Sequence, residues 1–118
     1  MKSVLAIFLS LFITSGIFAD QPEVLNVTMK SQGNNQYQFD VTLQHSDSGW
    51  EHYADKWEIL DTEGNILATR VLYHPHVNEQ PFTRSLSTTL PDNQKNVVIR
   101  GHDKVHKYGA EVIKELVP

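Results

Sequence analysis

Six histidines, His45, His52, His74, His76, His102 and His106, have the clearest capacity for chemistry in this 118-residue chain. A neutral imidazole binds transition metals through either ring nitrogen, and its charge changes near neutral pH. His74-Pro75-His76 places two rings at i and i+2, and the proline biases His74 toward an extended backbone, so both rings can project to one side. His102 and His106 share one short stretch with Asp103, and His52 follows Glu51. The sequence reading is therefore a metal site built from His52, His74, His76, His102 and His106. Glu51, Glu79, Asp103 and His45 serve as alternative ligands or as partners of ligand rings. Asp47 and Asp55 lie in the same stretches and could hold the far nitrogen of a ligand histidine. His45 also reads as a hydrogen-bonded histidine capping the core.

Donor chemistry narrows the ion. Imidazole with carboxylate suits Zn²⁺ or Cu²⁺, with Ni²⁺ as a further candidate. The chain has no cysteine, and beyond Met1 its methionine is Met29, which argues against a soft Cu⁺ site built on sulfur. Disulfides and thiol catalysis are excluded on the same ground.

The elements that would carry these residues are short and strand-like. Tyr37, Phe39, Val41, Leu43 and His45 alternate with polar residues, the pattern of a half-buried strand. Glu23 to Lys30 reads as a strand before it, across the turn residues Ser31 to Asn35. Lys56 to Leu60 and Ile66 to Tyr73 flank Asp61-Thr62-Glu63-Gly64-Asn65 and read as a hairpin. Phe82 to Leu90, Asn96 to Gly101 and Ala110 to Leu116 complete seven strands, with no convincing helix. The expected fold class is all-β, a seven-stranded antiparallel β-sandwich. In such a fold alternate connections share a pole. The short turns would lie at one end, and the longer segments 46–55, 74–81 and 102–109 at the other. All the histidines lie in or beside the longer segments. Trp57 and Phe82 read as core residues, whereas Trp50, Tyr53 and Tyr108 could line a binding surface.

Trp57 in the third strand, the β-branched sixth strand ending in Gly101 and the Tyr108-Gly109 loop resemble fibronectin type III and immunoglobulin-like sandwiches, over Glu23 to Val117. The three histidine-bearing segments also look like those of small exported bacterial proteins. That resemblance implies a fold and no activity.

The first residues read as an export signal. Lys2 is followed by an apolar stretch from Val4 to Phe18, and Ala19-Asp20 offers a cleavage point. The expected organisation is a removed signal peptide, 1–19, and one sandwich domain, 20–118. Cleavage would leave 99 of the 118 residues and remove one lysine and no acid, taking the formal charge from −4 to −5. That charge argues against nucleic acid as a partner. With no cysteine for lipid attachment and no second long apolar run, no membrane anchor is expected after cleavage. A bacterial periplasm is the expected compartment, or secretion otherwise.

The leading functional reading is a periplasmic protein that binds, buffers or delivers a divalent metal, with a periplasmic protein as a further candidate partner. Catalysis ranks below binding, because no nucleophile elbow or Ser-His-Asp spacing is present. The alternative is an immunoglobulin-like interaction module that binds a protein or glycan through the same loops. Metal identity, oligomeric state and the convergence of the loops are left open at this level.

Overall fold

A computed structural model describes residues 21–117. The expected signal peptide, 1–19, lies outside the described residues.

The chain forms eight strands and no helix among the described residues. They are β1 (Glu23–Gly33), β2 (Gln36–Gln44), β3 (Ala54–Leu60), β4 (Ile66–Val71), β5 (Phe82–Thr89), β6 (Asn96–Asp103), β7 (Lys107–Tyr108) and β8 (Val112–Glu115). All pairings are antiparallel. One sheet has the order β1-β2-β5. The other has the order β4-β3-β6-β7, with β8 also on β6. The seven-strand expectation is corrected to eight. Lys107–Tyr108 folds back on the end of β6, pairing Tyr108 with His102 and Lys107 with Asp103. Two residues carry no periodicity that a sequence pattern can reveal.

Local chemistry sets the hairpins. Asn34 and Asn35 both take positive φ, 55° and 64°, and join β1 to β2 as a tight turn matched to the twist of the strands. Asp61 accepts from the N–H groups of Glu63 and Asn65 at 2.9 and 2.8 Å and closes the β3–β4 hairpin.

Alternation then builds the core between the sheets. Phe39, Val41 and Leu43 of β2 face Trp57 and Ile59 of β3 and Val97 and Ile99 of β6, all buried. Trp57 and Phe82 are core residues, as their sequence context implied. Gly101 and Gly109 form a slot for Pro22 at the start of the described chain. A Cβ on Gly101 would lie 2.8 Å from Pro22 Cβ, and one on Gly109 would lie 1.9 Å from Pro22 O.

Two polar residues continue the inward faces of these strands. His45 follows Leu43 by two positions and Asp103 follows Gly101 by two, so the period of the pleat aims both between the sheets. His102, one position earlier, projects to the opposite face.

Candidate metal centre

The strand ends and three loops meet at one pole. His45 follows the end of β2, His52 lies in the β2–β3 loop, Asp103 ends β6, and His106 comes from the β6–β7 turn. The pairing of Ala54 with Asp103 brings these segments together. Asp103 Oδ2 lies 3.0 Å from His45 Nε2, 3.4 Å from His52 Nε2 and 3.4 Å from His106 Nδ1. His52 Nε2 and His106 Nδ1 are 3.1 Å apart. Donor atoms of His45, His52 and Asp103 all fall within 4.8 Å of one another.

A tetrahedral metal with bonds of about 2.0–2.1 Å separates its ligand atoms by about 3.3–3.4 Å. Four of the separations, at 3.0–3.4 Å, approach that spacing, and the group whose ligand atoms all lie close together is His45, His52 and Asp103, with His106 beside it at the exposed edge. Two imidazoles and a carboxylate, with a third imidazole from His106 alongside, offer a chemistry suited to borderline divalent transition metals.

Asp103 is prepared to present a single oxygen. Its Oδ1 accepts the backbone N–H groups of Val105, at 2.7 Å, and His106, leaving Oδ2 for the imidazoles. Burial pushes this carboxyl's pKa up, but those N–H groups and the His45 ring outweigh it, and the carboxyl sits below its ordinary range. Behind the cluster, His45 Nδ1 meets Asp47 Oδ1 at 2.5 Å.

Of the five histidines read as ligands, His52 and His106 are in this cluster, together with His45 and Asp103 from the alternative set. His102 is not, because its outward face places Nδ1 2.6 Å from Asp55 and packs the ring edge-on against Tyr108. His74 is exposed and its Nδ1 lies 3.2 Å from the Pro75 carbonyl. Glu79 binds Arg84, and Glu51 is exposed.

His76 is buried but turned away from the cluster. Its ring stacks on Phe82 with centroids 4.0 Å apart, and Nε2 lies 2.9 Å from the Arg84 guanidinium. The i, i+2 spacing is real, but stacking on an apolar ring and the arginine decide where His76 points. The signal that finds His45 and Asp103 is their inward register at strand ends, where a buried polar group must have partners.

Burial, aided by the nearby charges of Arg84 and His74, holds the His76 pKa below its ordinary 6.5. The folded chain keeps the ring neutral while the unfolded chain protonates it. His76 therefore contributes stability that is present above pH 6.5 and lost as pH falls below it. Phenylalanine preserves the stack and does not titrate, so H76F is expected to flatten the fall of Tm below pH 6.5. Thermal melts across that range check this, and parallel slopes in the two proteins would refute it.

Comparison with known proteins finds similarity both in sequence and in fold. No family model matches the chain. A protein of Halomicrobium mukohataei named "Putative lipoprotein" is 39% identical over 100 residues, covering 85% of this chain and 49% of that protein. The chain thus spans about half the length of the curated relative it matches. Among solved structures, one variant of the superoxide reductase (neelaredoxin) from Ignicoccus hospitalis is similar, with 13% identity, TM-score 0.54 and coverage of 86% of this chain and 82% of that one. A second variant of the same reductase gives 14% identity, TM-score 0.53 and coverage of 87% and 83%. These neighbours correct the fibronectin type III and immunoglobulin-like assignment. A tryptophan in the third strand and a loop glycine do not separate one sandwich from another, whereas the order of the sheets does. The protein is an all-β, antiparallel, two-sheet chain whose fold is similar to that of superoxide reductases.

Proposed function

We propose that this protein is an exported metal-binding protein that holds one divalent transition metal through His45, His52, His106 and Asp103. The observation that carries this reading is the placement of one buried carboxylate oxygen within 3.0–3.4 Å of three imidazole nitrogens. Zn²⁺ and Cu²⁺ fit imidazole and carboxylate donors. Fe²⁺ joins them because two histidines and a carboxylate, here His45, His52 and Asp103, form a familiar iron-binding pattern. Export is supported by the basic and apolar start of the chain and by the lipoprotein name of its relative.

The deciding experiment is titration of the chelator-treated protein with each metal, read by calorimetry and thermal melting. One equivalent should bind. Free metal at one hundred times Kd should stabilise the fold by about 2.7 kcal/mol. For a domain of this size that raises Tm by roughly 10 °C or more. Absence of saturable binding for every metal would end the proposal.

The fold likeness favours a second, narrower reading, that a redox-active metal at this centre reduces superoxide. It is tested by superoxide consumption with the iron-loaded protein and an added reductant, against the same protein stripped of metal.

A further inference from the structure

Asp47 sits in a loop, yet its side chain is fully buried, and among the described residues no lysine or arginine pairs with it. Its carboxylate instead gathers donors from three segments. Oδ1 accepts from His45 Nδ1 at 2.5 Å and from the Ala54 N–H at 3.0 Å, and Oδ2 accepts from the His76 N–H at 2.7 Å. Gln80 reinforces the junction: its Oε1 accepts from the His45 N–H at 3.0 Å, and its Nε2 donates to the His76 carbonyl at 2.9 Å. The loop of residues 74–81 supplies no donor to the cluster, but it grips the residue that does.

We propose that Asp47 is a positioning residue of the metal centre, holding a proton on His45 Nδ1 so that Nε2 faces Asp103 and His52 as the metal-binding atom, and tying that ligand to the loop of residues 74–81. The proposal rests on the metal-binding reading above. A carboxylate that accepts from the far nitrogen of a ligand imidazole fixes its tautomer and strengthens it as a donor. Asparagine cannot reproduce the arrangement. With its NH₂ at the Oδ1 position it opposes the Ala54 N–H and drives the His45 proton to Nε2. With its NH₂ at the Oδ2 position it opposes the His76 N–H and loosens the loop.

The test compares wild type and D47N by ring ¹⁵N NMR of the metal-free proteins and by optical titration with Co²⁺. Wild-type His45 should carry a proton on Nδ1. In D47N either that proton leaves Nδ1 or, where the amide oxygen still accepts it, the loop of residues 74–81 loosens, and in both cases the Co²⁺ absorption bands should shift and Kd should rise about 10- to 100-fold. A wild-type ring without the Nδ1 proton, or a D47N chain with unchanged Co²⁺ affinity, overturns the proposal. If wild type takes up no Co²⁺, the metal reading falls and the ring spectra alone decide whether Asp47 sets His45. If D47N fails to fold, the protonation of wild-type Nδ1 decides.

Discussion

The D103N protein is expected to fold and to lose the proposed metal binding. The amide oxygen can take over from Oδ1 and accept the N–H groups of Val105 and His106, so the turn that carries His106 persists. The NH₂ then occupies the position of Oδ2, replacing an anionic donor with a group that does not ligate. Kd should rise by more than the roughly 100-fold associated with residues behind the ligands, which separates the expected behaviour of Asp103 from that of Asp47. The cost to the metal-free fold is smaller, about 1–2 kcal/mol for weakened hydrogen bonds to the rings, or roughly 5–15 °C in Tm. Calorimetric titration and melts with and without metal check both parts. A D103N protein that binds like wild type would remove Asp103 from the ligand set.

The second large effect concerns packing. In Gly109→Ala the new methyl would lie 1.9 Å from the backbone oxygen of Pro22. A backbone oxygen cannot swing aside as a flexible side chain can, so either Pro22 leaves its slot or the β7 strand moves. Overpacking of this kind costs about 1–3 kcal/mol and occasionally more, and the backbone contact places this case at the upper end. Tm should fall by roughly 10–20 °C. At Gly101 the nearest contacts of an added Cβ are side-chain atoms of Pro22 and Leu43, at 2.8 and 3.3 Å, so alanine there should cost less. Melts of the two variants side by side test the order, and a Gly109→Ala protein with unchanged Tm would show that Pro22 is not fixed in this slot.

Much of the architecture is legible in the sequence because alternation is a local property. Tyr37 to His45 announces its own inward face, and the Asn and Asp turns announce the hairpins around them. Strand β7 is not legible, since Lys107 and Tyr108 pair only because β6 is already in place. The order of the sheets is hidden for a related reason: it depends on partners distant in sequence, such as β2 with β5. At the site, the pole is legible from where the histidines fall, and His52 and His106 read as ligands. His45 and Asp103 read only as alternatives, although their positions on inward registers predict burial. The His74-Pro75-His76 pair points the sequence reading elsewhere because spacing describes where rings can reach. Where His76 settles is determined by Phe82 and Arg84, whose proximity the spacing does not encode.

The four donors differ in their exposure to water. The side chains of His45 and Asp103 are fully enclosed, while His52 is 22% and His106 36% accessible. An ion held there as proposed would exchange directionally. An incoming chelating group can displace His106 first and His52 next while the inner pair still holds the ion, so transfer to an acceptor should quicken in proportion to acceptor concentration. Unassisted loss requires the inner pair to let go as well and should be much slower. The same wall of the sandwich that seals His45 and Asp103 would thus make the protein retentive in dilute solution and yielding when an acceptor is at hand.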